Sequence, residues 1–179
     1  MAYKFLDPKI GLLDAPSVTG TTPLWNLGQE AYAADPTVLG TAYPPTVGKF
    51  IYCVGVATGG TAGAFVQYAG MSASVMSAAN SASRLPLGFA AGALTGTNVY
   101  GWVQVEGIVT NAKGTNADVA AGVPMYLHAG AGQIASAVVA GNQIQGVFMY
   151  KSCGSALASV GSLSCQIQNP QIMGLSASL

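Results

Sequence analysis

Charge is what this chain has least of. Its 179 residues carry six Lys and Arg against six Asp and Glu, 7% of the total and net zero, where about 25% is usual for a soluble domain. Six basic residues strung out from Lys4 to Lys151 cannot form the dense positive stripe that a phosphate backbone requires, so no nucleic-acid partner is expected. Long apolar runs are lacking too. Residues 50–83 hold no charge, yet Gly, Ser, Thr, Gln and Asn interrupt them repeatedly, and no 18-residue stretch suits a membrane helix. An outer-membrane barrel shares the alternating pattern, but the strands are too few and too short for one, and no membrane partner is expected. The opening Met1-Ala2-Tyr3-Lys4-Phe5-Leu6-Asp7-Pro8 meets an acid and a proline before any apolar core of a secretory signal, so the expected compartment is the cytoplasm.

Chemistry-bearing residues are equally sparse. The single histidine, His128, ends Pro124-Met125-Tyr126-Leu127 before a Gly-rich turn, where a turn or interface role is simpler than a catalytic base. Cys53, Cys153 and Cys165 lack paired CxxC spacing and read as reduced core thiols, with a Cys153–Cys165 bridge open if a hairpin turns near Ser159. Dispersed carboxylates offer no metal cluster. Glu106 with Asp118 is the one pair to weigh for glycoside cleavage; a polar strand face for Glu106 and a turn for Asp118 are simpler. Gly48-Lys49 is followed by Phe50, not by the Ser or Thr of a phosphate loop. The expectation is a non-enzyme with no catalytic residue, no metal and no cofactor.

What the chain does have is apolar content, 51%, and 24 glycines. A chain this long buries about 70% of its unfolded surface, enough for one domain or one domain plus an arm. Zero net charge favours association. Residues 1–48 hold six of the nine prolines without sustained periodicity and read as an extended arm. Its Leu12, Leu13, Leu24, Trp25 and Leu27 need burial, either on their own domain or across a neighbour. Residues 49–169 read as the core and 170–179 as a tail.

From Lys49 the pattern turns to period two, with Phe50, Tyr52, Val54 and Val56 opposite Ile51, Cys53, Gly55 and Ala57. Thr58-Gly59-Gly60-Thr61 then predicts a hairpin into Ala64–Tyr68. Met71–Ser83 reads as a short helix or a loop. Leu87–Ala90, Val99–Val109, Val123–His128, Gln143–Lys151 and Gly161–Gln168 complete roughly seven strands, an all-β chain built as an antiparallel barrel or sandwich. The strongest strand alternates Tyr100, Trp102, Gln104 and Glu106 with Gly101, Val103, Val105 and Gly107. One of these faces is expected to pack inward and the other to meet a partner. Tyr100 and Trp102 either stack on sugar rings, as in a glycan- or receptor-binding module, or pack as cross-strand core residues.

Thr22-Pro23-Leu24-Trp25-Asn26-Leu27-Gly28, Ala34-Asp35-Pro36-Thr37, Gly48-Lys49-Phe50-Ile51-Tyr52-Cys53-Val54-Gly55-Val56-Ala57, Leu87-Gly88-Phe89-Ala90 and Tyr100-Gly101-Trp102-Val103-Gln104-Val105-Glu106-Gly107 together resemble small structural proteins of tailed-bacteriophage virions, the capsid decoration or cement proteins. Gly122–Leu127 and Ile144–Val147 are similar as well, so the resemblance spans about residues 20 to 150. It implies a β-rich protein on the outside of an assembled head, bound to the major capsid protein and to further copies of itself, with a trimer as the form it suggests. Many weak contacts repeated by symmetry would then supply avidity. Leu24, Trp25, Leu27, Tyr100, Trp102 and Glu106 are the expected assembly contacts. The scarcity of charge argues for a mostly covered position on the particle.

Overall fold

Alternation is strongest between Tyr100 and Gly107, and the longest strand forms there. In a computed structural model that describes residues 4–6, 16, 17, 19–34, 47–77, 85–115, 119–138, 141–152 and 161–172, the chain is all-β. The strands are β1 (Lys4–Phe5), β2 (Glu30–Ala34), β3 (Val47–Gly55), β4 (Phe65–Ala69), β5 (Ser72–Val75), β6 (Leu87–Ala90), β7 (Tyr100–Gly114), β8 (Pro124–Leu127), β9 (Ile134–Ala135), β10 (Gln143–Met149) and β11 (Gly161–Ile172).

β7 is the spine. Gln104 pairs with both Phe50 and Phe89, and Glu106 with both Lys49 and Gln168. A residue has one partner per edge, so β3 lies along one edge of β7 while β6 and then β11 lie along the other. Gly114 pairs with Gly161 of β11 and with Ile134 of β9, which places β9 beyond β3 on its edge. The pairings therefore close two circuits that share β7: β3–β5–β4–β6–β7 and β7–β11–β10–β8–β9. Both closures, β3 with β5 and β7 with β9, are parallel, and all other strand pairs are antiparallel. The expected purely antiparallel sheet is thus a mixed one of eleven strands that folds back on itself in sandwich-like layers.

Three apolar clusters follow from that path. Cys53, Val66, Tyr68, Ala73, Ala90, Leu94, Val103 and Val105 fill the first circuit. Val109, Ala112, Met125, Leu127, Ile134, Ile144, Val147, Leu163, Cys165 and Ile167 fill the second, which also takes up Phe65, Leu87 and Phe89. The third cluster lies on the opposite face of β3 and β7, where Phe5, Ala31, Ala33, Phe50, Tyr52 and Trp102 pack together. Both faces of Tyr52–Cys53 and of Trp102–Val103 are therefore buried, and neither strand keeps a free side for a partner at these positions.

Several expectations are corrected. The proline-rich segment contains β1 and β2, and β2 pairs along Val47–Ile51 of β3, so its described part packs on its own domain. Trp25 joins the same aromatic cluster. The expected β3–β4 hairpin does not form, because β2, β5 and β7 occupy both edges of β3. β4 instead turns back into β5 through Gly70 (φ 52°) and Met71 (φ 66°), two left-handed residues in the tight turn that suits strand twist. Part of the Met71–Ser83 stretch is thereby strand; 78–84 lie outside the described residues. β11 runs on to Ile172, paired with Ile144, past the expected boundary at 169. Cys165 is buried in the second circuit; Cys153, and with it the bridge expectation, lies outside the described residues.

Candidate functional site

One break in alternation decides where the polar groups of β7 go. Lys49 pairs with Glu106 but Phe50 with Gln104, so one residue of β3 spans two of β7 at a bulge. Trp102 and Gln104 consequently face the aromatic cluster, while Glu106 turns to the side of Lys49. Gly107 sits at the bulge with φ +100°, and a Cβ there would lie 2.6 Å from Val47 O and 2.8 Å from Gly48 Cα. Gln104, 4% exposed, donates its Nε2 hydrogens to Glu106 O (3.1 Å) and Ile108 O (3.2 Å). Its amide hydrogens thus have partners on the same strand, which is why a buried amide is tolerated there.

On the other side the register lines up Tyr32, Lys49, Glu106 and Gln168 across β2, β3, β7 and β11. Lys49 Nζ lies 2.9 Å from Glu30 Oε1, and this hydrogen bond, ahead of the nearby carboxylate charge, raises the Lys49 pKa above its usual value. Asn169 Nδ2 donates to Glu106 Oε1 at 2.8 Å. The few charges of this face are thus held by neighbours. Leu6, whose N–H donates to Tyr32 O, stands with Tyr32 and Val47 as exposed apolar side chains around them. At the far end of the same face, Phe148 pairs across from Gln166, and Phe148 and Tyr150 are both exposed.

The six expected contact residues separate. Leu24 (60% exposed) and Leu27 (46%) stand at the surface. Trp25 is half-buried, its ring 5.2 Å from Tyr52 and 5.3 Å from Trp102; the Leu24 N–H donates to the Tyr52 hydroxyl at 3.2 Å, so the cluster anchors this loop. Tyr100 is half-buried and stacked on Tyr52 at 6.3 Å. Trp102 is 0% exposed, with Phe5 at 4.9 Å and Tyr52 at 5.0 Å. A ring with no surface reaches neither a subunit nor a sugar, so packing replaces the contact role expected of Trp102. Glu106 is half-buried in the cross-strand row and does not share a face with Trp102.

His128 is a turn residue whose Nδ1 accepts from the Gly130 N–H at 3.0 Å. Asp118 lies outside the described residues. Among the described residues no group of three or more His, Cys, Asp or Glu could hold a metal, and no helix is long and apolar enough to cross a membrane. The exposed apolar residues that sequence reading missed, Leu6, Tyr32, Val47, Val138, Phe148 and Tyr150, lie in segments read as arm or as anonymous strand, or, for Val138, in one given no element. For Phe148 the signal was present in the alternation Gln143–Tyr150, which sets Val147 and Met149 inward and Phe148 and Tyr150 outward.

No protein-family model matches the chain, and a search of curated proteins finds no similar sequence.

Proposed function

We propose that this chain is a non-enzymatic structural protein of a tailed-phage virion, a decoration or cement protein that binds the assembled head from outside through repeated subunit contacts. The observation that carries the reading is where apolar surface is left. Of eight large hydrophobic side chains exposed among the described residues, five, Leu6, Leu24, Leu27, Tyr32 and Val47, fall in the first 48 residues. A segment that spends some of its apolar residues on its own core and leaves others outside is built to be covered twice, once by its own domain and once by a neighbour.

Magnitudes favour a repeated contact over a single strong one. Covering the exposed part of five such side chains yields about 1 kcal/mol each, and association costs consume much of that sum. One subunit alone would hold weakly; many copies on one shell, or a homo-oligomer presenting several faces at once, would hold durably. The major capsid protein and further copies of this chain are the partners so proposed, and the virion exterior the location, after assembly in the host cytoplasm. Sparse charge suits such a face, since few ions must be stripped of water on contact.

The experiment is attachment of purified chain to phage heads lacking it, followed by sedimentation. Leu24→Asp with Tyr32→Asp should abolish co-sedimentation while the isolated protein keeps its melting temperature. Undiminished attachment of that double variant would remove the proposed contact face.

A further inference from the structure

The far end of the exposed face points beyond shell contacts. A cleft of about 460 Å³ lies over the outer face of the paired strands β10 and β11, lined by Gly122, Gly146, Phe148, Tyr150, Gln166 and Gln168 above the buried Met149 and Ile167. That volume is in the range of small-molecule sites, which run from about 300 to 1,000 Å³. β11 departs from regular pairing beside it. Gln145 opposes Gln171 and Val147 opposes Ile167, so one residue of β10 faces three of β11, with Asn169 at φ 43°. Gly146 (φ +78°) lies so close to the Gln168 carbonyl that a side chain would not fit. The glycine and the bulge together set the wall of the cleft.

From this lining we infer that the cleft is a binding site for a neutral saccharide. Phe148 and Tyr150 are 45% and 39% exposed, flat apolar surfaces with little rotamer entropy to lose, suited to the C–H face of a pyranose ring. Gln166 and Gln168 stand two residues apart on one strand face, about 7 Å. Each amide offers both donors and an acceptor, the combination that vicinal hydroxyls require. Among the described residues, no carboxylate or ammonium lines the cleft. Glu106 lies directly across from Gln168, and its carboxylate disfavours an anionic sugar. This site is independent of the proposed shell contact, which rests on residues of the first 48.

Ligand-observed NMR on the whole chain tests it, with chitobiose, cellobiose and maltose as neutral probes and sialyllactose as the anionic one. The expected result is binding of at least one neutral disaccharide at about 0.1–1 mM, indifferent to salt. Phe148→Ala and Tyr150→Ala should each weaken it by about tenfold or more, Gln166→Ala should weaken it without touching the aromatic surface, and Lys151→Ala should leave it unchanged. No saturation transfer to any neutral probe, equal binding by the wild type and both aromatic variants, or a preference for sialyllactose would overturn the assignment. So would self-association that Phe148→Ala abolishes in a chain that binds no sugar, since the cleft would then be a protein contact.

Discussion

Two sets of aromatic residues on period-two strands meet opposite fates in this molecule. Tyr52 and Trp102 on β3 and β7 are sealed under Phe5, Trp25 and the β1–β2 pair, whereas Phe148 and Tyr150 at the end of β10 stay exposed. Their strands carry the same kind of alternation. What differs is the layer above: the N-terminal segment supplies a cover for β3 and β7, and no described segment supplies one for the outer face of β10 and β11. Burial here is decided by which strand receives a second layer, a property of distant chain that local pattern does not encode.

The sharpest way to break this comparison is to remove the cover. Phe5→Ala should cost about 3–5 kcal/mol, as for a buried aromatic elsewhere, with a matching drop in the denaturant midpoint; a cost under about 1 kcal/mol would mean that β1 merely rests on the surface. Trp102→Ala should cost as much, since its ring touches Phe5, Trp25 and Tyr52.

Next in size is the bulge that sends Glu106 away from Trp102. Gly107→Ala adds a Cβ against the Val47 carbonyl at a φ of +100° and should cost about 2–3 kcal/mol. Gly122→Ala shares a positive φ of +82° but meets nothing within 4 Å, so about 1 kcal/mol is expected. Equal costs in thermal melts would show that backbone conformation, not the close strand approach, dominates at the bulge.

A smaller effect comes from the interior of the first circuit. Burial pushes the Cys53 thiol from its usual 9.0 to about 12 and, chiefly for the same reason, the Tyr68 hydroxyl from 10.0 to about 12. Both groups are neutral when protonated, so the folded chain keeps protons that the unfolded chain releases. Their contribution is complete below about pH 9 and is lost as pH climbs towards 12. The Lys49 shift has the same sign. Denaturant midpoints should therefore fall steadily across that alkaline range, and Cys53→Ala should flatten the fall. Smallest of all, Phe148→Ser should change stability by no more than about 0.5 kcal/mol, an outcome that separates an uncovered aromatic from a covered one.

How much of this was legible in the sequence follows from the same contrast. The all-β class and the strands at Leu87–Ala90, Val99–Val109, Val123–His128 and Gln143–Lys151 were readable, because alternation reports which residues share a face. The side on which Glu106 falls was not, since one bulged residue reverses the alternation beyond it. β2 was hidden by its own composition: Glu-Ala-Tyr-Ala-Ala carries little β propensity, and pairing with β3 makes it a strand. The parallel closures, β3 with β5 and β7 with β9, join residues whose pairing no local signal marks. Leu24 and Leu27, read as needing burial on their own domain or a neighbour, stand exposed on this one, while Trp25 and Trp102 were drawn inward by contacts spanning much of the chain.

The central claim is that the apolar surface left on the first 48 residues exists to be covered by a viral shell. Quantitative mass spectrometry of gradient-purified phage particles tests it most directly. The account predicts this chain in a fixed ratio to the major capsid protein, retained through repeated banding; its absence from intact particles, with the protein recovered only from the lysate, would contradict it.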